Sequence, residues 1–223
     1  HLSIRRQRQM CIRDREIRER KENSFYPSEL HFCIRRNYFM YKKPKRFDLG
    51  RLKIFEAGNI VHTFFRDVLF KSYTSGEFIK EFDYEGALVY NEDEFEISGR
   101  FDDIILLEWE DEPLIIEVKT VRDLRFFKEP KKLHLEQINF YLTMLNLSKG
   151  YIIYIDRGNL QHKLYEVKPS KEMFNETVKR ARELRRHLVE NKIPLPEAKH
   201  NPDMKWMCNY CLYRLECLKA GIK

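Results

Sequence analysis

The chain has 223 residues, 43% hydrophobic and 13% aromatic, with a formal net charge of +7. That composition excludes a disordered chain and is enough for one substantial core with a small appendage. Its apolar runs, such as IILL at 104–107 and YIIYI at 151–155, are too short to cross a bilayer, and the basic balance suits a polyanionic partner.

The first residue is His1 rather than Met, and the Arg-rich beginning has no apolar stretch of signal-peptide type. A start further upstream and a cytosolic location are therefore expected. Residues 1–24 are rich in Arg and Glu, show little apolar periodicity, and read as a basic arm. Ser28 has the character of an N-cap for a helix running through Cys33 to about Tyr41. KKPKR at 42–46 is a basic linker. Asp48 can cap a long helix toward Tyr73, in which Leu52, Phe55, Ile60, Phe64, Val68 and Leu69 recur at helical spacing.

From Glu77 the period changes to two. EFIKEFDY, GALVY, EFEISGRFDDIILLEW and PLIIEVKT read as successive strands. Pro130 opens a helix through about Leu147. KGYIIYID and LQHKLYEVK flank the turn DRGN as a hairpin, and Ser170 to about Asn191 forms an amphipathic helix. Pro194, Pro196 and Pro202 mark an extended tail that ends in clustered cysteines. The pattern predicts a mixed α/β fold: a central mixed sheet flanked by helices, with a small cysteine-bound lobe joining the N- and C-terminal segments. The expected division is an arm at 1–24, a lobe from 25–46 with 192–223, and a core at 47–191.

Glu-x-Lys occurs six times, at Glu19, Glu117, Glu129, Glu166, Glu190 and Glu197. By itself it marks nothing more than a solvated face. Only Glu117 and Glu166 fall on predicted strands. Strand alternation puts Glu117 and Lys119 on one face, with Ile116 and Val118 on the other. The strand before it supplies Asp102, after Gly99. Behind Glu166 stands only Asp156, at a hairpin turn, and no Gln-x-x-x-Tyr follows it. The first copy is therefore the candidate site. Asp102 and Glu117 can bind magnesium or manganese, hard cations that favour carboxylate oxygen, with the Val118 carbonyl as a further ligand. Asp103 is the second-ranked ligand, since alternation turns it away. Lys119 can orient the attacking water or stabilise phosphate charge. Gln137 and Tyr141 share one helix face and can return polar groups to this site. His62, four residues after Gly58, reads alone as a packed core histidine; beside Asp102 and Glu117 it is a third metal ligand.

Five cysteines in a chain read as cytosolic point to ligands or free thiols rather than disulfides. Cys208, Cys211 and Cys217 have metal-site spacing, and Cys33 is the best fourth ligand because Cys11 lies in the charged arm. Spacing alone leaves iron–sulfur and zinc open. The pairs Arg35-Arg36, Lys42-Lys43, Lys45-Arg46 and Lys131-Lys132 favour DNA as the polyanion.

With SELHFC at 28–33, Gly58 and His62, SGRFD, IIEVK, QINFY and CNYCLYRLEC in this order, the chain resembles the CRISPR-associated RecB-like exonuclease, the Cas-four family, of the PD-(D/E)XK nuclease superfamily. The resemblance runs from about Ser24 to Cys217. It implies a restriction-endonuclease-like core with metal ligands His62, Asp102 and Glu117 and catalytic Lys119. Gln137 and Tyr141 match the family's helix motif, and Cys33, Cys208, Cys211 and Cys217 would hold a [4Fe–4S] cluster. It further implies DNA exonuclease activity, 5′ to 3′ on single strands, in CRISPR spacer acquisition beside the CRISPR integrase. A homo-oligomer is left open and no membrane partner is expected. Two alternatives stand: a non-catalytic DNA-binding iron–sulfur or zinc module, and a viral or mobile-element repair nuclease of the same superfamily.

Overall fold

The computed structural model describes residues 20–221; Cys11 and most of the basic arm lie outside the described residues. In chain order the elements are β1 (Ser24–Phe25), α1 (Pro27–Leu30), α2 (Ile34–Lys42), α3 (Leu49–Thr74), β2 (Ile79–Tyr84), β3 (Ala87–Glu92), β4 (Phe95–Arg100) and β5 (Asp103–Leu107). There follow β6 (Leu114–Val121), α4 (Lys132–Met144), β7 (Gly150–Asp156), β8 (His162–Val167), α5 (Lys171–Val189), α6 (Glu197–His200) and α7 (Arg214–Lys219). Short 3-10 segments lie at Leu124–Phe126 and Pro202–Tyr210.

The chain divides into two compact units. Among the described residues, one comprises 20–23, 32–56 and 183–221, and the other 24–31 and 57–182.

The second unit contains both sheets. The larger has the order β2-β5-β6-β7-β8 and the smaller β1-β4-β3. The single strand expected over 94–109 is therefore two. The chain turns at Phe101–Asp102, where Phe101 N donates to Gly86 O and Glu85 N to Asp102 O. Gly86 permits this turn, because a Cβ there would lie 2.1 Å from the Phe101 ring. In the larger sheet β6 and β7 are parallel, with Glu117 opposite Ile152 and Lys119 opposite Tyr154. A parallel pair needs a long crossover, and the segment carrying α4 supplies it.

One face of this sheet buries Ile105, Leu114, Ile116, Val118, Ile153 and Ile155 against Val61, with Phe65 and Leu69 packed alongside. The spacing 61, 65, 69 is one face of α3. Each such aliphatic side chain contributes on the order of 1.5–3 kcal/mol when buried. Toward α4 the contact is close: a Cβ at Gly150 would come 3.0 Å from Leu142 and 3.4 Å from Ile138. Ile116 and Val118 thus anchor β6 in the core, which leaves Glu117 and Lys119 on the other face.

The first unit is built around α2. Arg35, only 1% exposed, donates to Pro194 O at 2.5 Å and to Gly221 O at 2.6 Å. Ile34 N donates to Glu197 Oε1 at 2.9 Å, so a carboxylate distant in sequence satisfies an N-terminal amide of α2. Phe39 stacks on Tyr213 at 6.1 Å.

Three expectations are corrected here. The helix expected from Ser28 to Tyr41 is two helices, broken at His31–Cys33. Ser28 lies inside α1, and Tyr26 is the residue at its N-cap. The break has a physical cause: His31 is drawn into a buried contact, with Nδ1 2.8 Å from Glu136 Oε2 and Nε2 2.8 Å from Thr177 Oγ1. The tail expected to be extended is largely helical, with α6, the 3-10 segment and α7 following the prolines; Pro202 opens the 3-10 segment, where its missing N–H costs nothing. Asp48 does cap α3, since its Oδ1 accepts from Arg51 N at 2.9 Å. Among the described residues no helix is long and apolar enough to cross a membrane.

Candidate active site

Asp102, expected on a strand, sits instead in the turn between β4 and β5. The β5–β6 ladder ends where Asp103 pairs with Ile116. Two residues on, Val118 N donates to Asp102 Oδ2 at 2.8 Å. This bond brings the carboxylate beside the strand that bears Glu117. The other oxygen, Oδ1, lies 3.4 Å from His62 Nδ1. His62 can approach because α3 runs close to β6: a Cβ at Gly58 would be 3.3 Å from Thr120 Oγ1.

Glu117 is 1% exposed. Its Oε1 accepts from Lys119 Nζ at 2.5 Å, while its Oε2 is buried with no hydrogen-bond partner. Lys119 Nζ also donates to Gln137 Oε1 at 2.9 Å, and Gln137 Nε2 donates to Tyr141 Oη at 3.3 Å. The Tyr141 ring rests on β4 at Gly99, where a Cβ would fall 2.6 Å from its Cε1. The structure thus brings together all six side chains that the sequence singled out around this point: His62, Asp102, Glu117, Lys119, Gln137 and Tyr141.

The electrostatics follow from this packing. Burial pushes the Glu117 carboxyl up to about 7, against the pull of the Lys119 charge. Burial also opposes the charged form of Asp102, but the His62 contact and the Lys119 charge outweigh it and hold that carboxyl below its ordinary value. For Lys119, burial works against the ammonium; Glu117 and Asp102 prevail and raise its pKa. Burial raises the Tyr141 hydroxyl far above its usual range.

Asp103 turns away, as strand alternation requires. Arg66 Nε donates to its Oδ1 at 3.1 Å and Arg66 NH1 to Glu85 Oε1 at 2.8 Å. Sequence reasoning missed Arg66, although its place four residues after His62 on α3 was a usable signal. It also missed His134 and Tyr154, whose contact with each other lies beside Lys119. The second Glu-Val-Lys copy runs off the end of β8, the last strand of the sheet, with Glu166 exposed opposite Tyr151 and Lys168 just past the strand.

The donor set suits a hard cation: a buried carboxylate oxygen without a partner, beside a second carboxylate. In the arrangement described, Lys119, His62 and the Val118 amide stand on the other oxygens, and among the described residues no group of three or more His, Cys, Asp or Glu side chains is set to hold an ion.

In the first unit a cavity of about 280 Å³ is lined by Cys33, Cys208, Cys211 and Cys217, together with Met207 and Tyr213. All four cysteines are free thiols. Burial raises the thiols of Cys33 and Cys211. Arg35, Arg36, Lys199, Lys205 and Arg214 also line it, giving a cationic surround. Of the aromatic residues near the cysteines, Tyr210 is instead largely exposed.

The class is established by fold and sequence together. The profile of the PD-(D/E)XK nuclease superfamily matches residues 57–217, and the chain belongs to that superfamily. No curated protein matches the chain. Among solved structures, that of SSO0001 is similar over 94% of this chain and 92% of its own, with a TM-score of 0.64 and 22% identity. LHK-Exo, an alkaline exonuclease from Laribacter hongkongensis solved with dAMP, is similar over 75% of this chain and 88% of its own, with a TM-score of 0.52 and 11% identity. At these identities the likeness is one of fold.

Proposed function

We propose that the chain is a metal-dependent DNA exonuclease hydrolysing phosphodiester bonds, with single-stranded DNA as its preferred substrate. The observation that carries this reading is the orphaned, buried Oε2 of Glu117 beside Asp102 and Lys119. Asp102, Glu117, the Val118 carbonyl and His62 would hold magnesium or manganese. Such an ion supplies Lewis-acid polarisation of the phosphate and lowers the pKa of water. Lys119 remains protonated, so it acts as a donor, orienting the nucleophile and offsetting charge on the phosphate. Gln137 fixes the ammonium from the far side, and Tyr141 fixes Gln137.

Cys33, Cys208, Cys211 and Cys217 would hold a [4Fe–4S] cluster. Support comes from their convergence on one cavity and from the cations around it, which suit an anionic cluster. The cluster's role in this reading is structural. The motif resemblance to the Cas-four family supports 5′ to 3′ polarity and a place in CRISPR spacer acquisition beside the integrase.

Incubation of end-labelled single-stranded DNA with manganese tests the activity. Wild type should shorten the strand from its 5′ end, and Lys119→Ala should not. Persistent cleavage by Lys119→Ala would overturn the site, and no cleavage by wild type would leave a DNA-binding module without catalysis. Purified protein should be brown, with iron rather than zinc in stoichiometric amount.

A further inference from the structure

Lys119 and Tyr154 are direct partners across the parallel β6–β7 pair, so their side chains stand on the same face of the sheet. Tyr154 is fully buried, and its hydroxyl lies 2.7 Å from Nδ1 of His134. The two rings are 5.6 Å apart. His134, Gln137 and Tyr141 follow one another at i, i+3 and i+7 along α4, and so share a helix face. Two of the three already stand at the site.

The hydrogen bonds fix which nitrogen of His134 carries the proton. The Tyr154 oxygen accepts from Lys131 N at 3.0 Å. If it accepted from Nδ1 as well, its own buried proton would have no acceptor. The hydroxyl therefore donates to Nδ1, and the imidazole proton resides on Nε2. Burial, then the charges of Lys119 and Lys131, disfavour the imidazolium. The result is a neutral ring locked in one tautomer, with an N–H on Nε2 that has no protein partner among the described residues. A protonated Nε2 does not ligate a metal; it donates. Flanked by the charges of Lys119 and Lys131, it meets an anion with oxygen acceptors.

We infer that His134 is a DNA-backbone-binding residue: its Nε2–H donates to a phosphodiester oxygen of the strand held at Lys119, and Tyr154 is the positioning residue that sets its tautomer. This rests on the nuclease reading above and extends the site along α4.

The test compares His134→Ala, His134→Phe and His134→Gln, the last offering an amide N–H near the position of Nε2. Affinity for a fluorescent single-stranded oligonucleotide is measured without divalent metal over a range of salt, and cleavage is measured with manganese. His134→Ala and His134→Phe should bind about tenfold more weakly. His134→Gln should recover most of that loss. KM should rise more than kcat falls. Because the ring is uncharged, the salt dependence should keep the wild-type slope, whereas Lys132→Ala, if that lysine meets a phosphate, reduces it by about one unit. Wild-type affinity in His134→Phe, or a slope reduced by a full unit in His134→Ala, would overturn the inference. If the alanine variant does not fold, Tyr154→Phe carries the test, with unchanged affinity as the overturning result. Normal wild-type cleavage with unaltered binding by the His134 variants sinks this inference alone, while absence of wild-type cleavage sinks the nuclease reading.

Discussion

Asp102 belongs to neither flanking strand, yet its Oδ2 accepts the backbone N–H of Val118 at 2.8 Å, the residue between Glu117 and Lys119. A side chain here takes over an amide just beyond the point where the β5–β6 ladder ends. Structure and candidate chemistry can be separated at this bond. Asp102→Asn keeps an acceptor oxygen for Val118 and should unfold within about 0.5 kcal/mol of wild type. Asp102→Ala orphans the amide and should lose about 1–3 kcal/mol. Both should cut manganese-dependent cleavage by on the order of a thousandfold, which rate assays alongside thermal melts would establish.

Lys119 is gripped from two sides, by Glu117 and by Gln137. Gln137→Ala should lower kcat about tenfold with little change in KM, since the ammonium loses its second anchor but keeps its charge. Lys168→Ala, in the second Glu-Val-Lys copy, should cleave like wild type. A comparable loss there would move the site to β8.

The raised pKa of Glu117, about 7, gives a pH signature. Its folded value exceeds the unfolded one, so the stability it contributes is present below the ordinary carboxylate range and is lost as pH rises through about 7. Cation binding needs the deprotonated form. Manganese affinity, followed by calorimetry, should be level above pH 7.5 and fall about tenfold per unit below the raised pKa. Glu117→Gln should flatten the profile and bind manganese weakly at every pH.

Gly99 lies under the Tyr141 ring. Gly99→Ala puts a methyl where ring and backbone meet, and should destabilise by about 1–3 kcal/mol. The melting temperature should drop by several degrees, and cleavage should weaken further as Tyr141 and Gln137 shift.

Arg35 joins α2 to the carbonyls of Pro194 and Gly221, and its NH1 reaches Cys217 Sγ at 3.8 Å. Arg35→Met leaves those carbonyls unsatisfied and should cost about 3 kcal/mol. Iron content should fall with it, because the chain that carries Cys217 is no longer held. Full iron occupancy in Arg35→Met would argue that the cysteines alone organise the cavity.

Local pattern made some features legible in advance. Period two placed Glu117 and Lys119 on one face of β6, and helical spacing placed Gln137 with Tyr141. Asp48 as a cap and the β7–β8 hairpin also follow from nearest-neighbour chemistry. The break at His31–Cys33 was hidden because its cause, Glu136 and Thr177, lies more than a hundred residues away. The split of 94–109 into two strands was hidden because Phe101 needs the space above Gly86.

By itself the sequence determined which residue types are candidates for the chemistry and which face of its own element each occupies, since both depend on covalent geometry and short-range periodicity. Only the tertiary structure decided that Arg66 is the partner of Asp103, that Glu117 keeps one oxygen unpartnered, and that Tyr154 sets the proton on His134. Those outcomes depend on distances between elements far apart in the chain, and such distances are fixed by packing and hydrogen-bond competition, which no local pattern encodes.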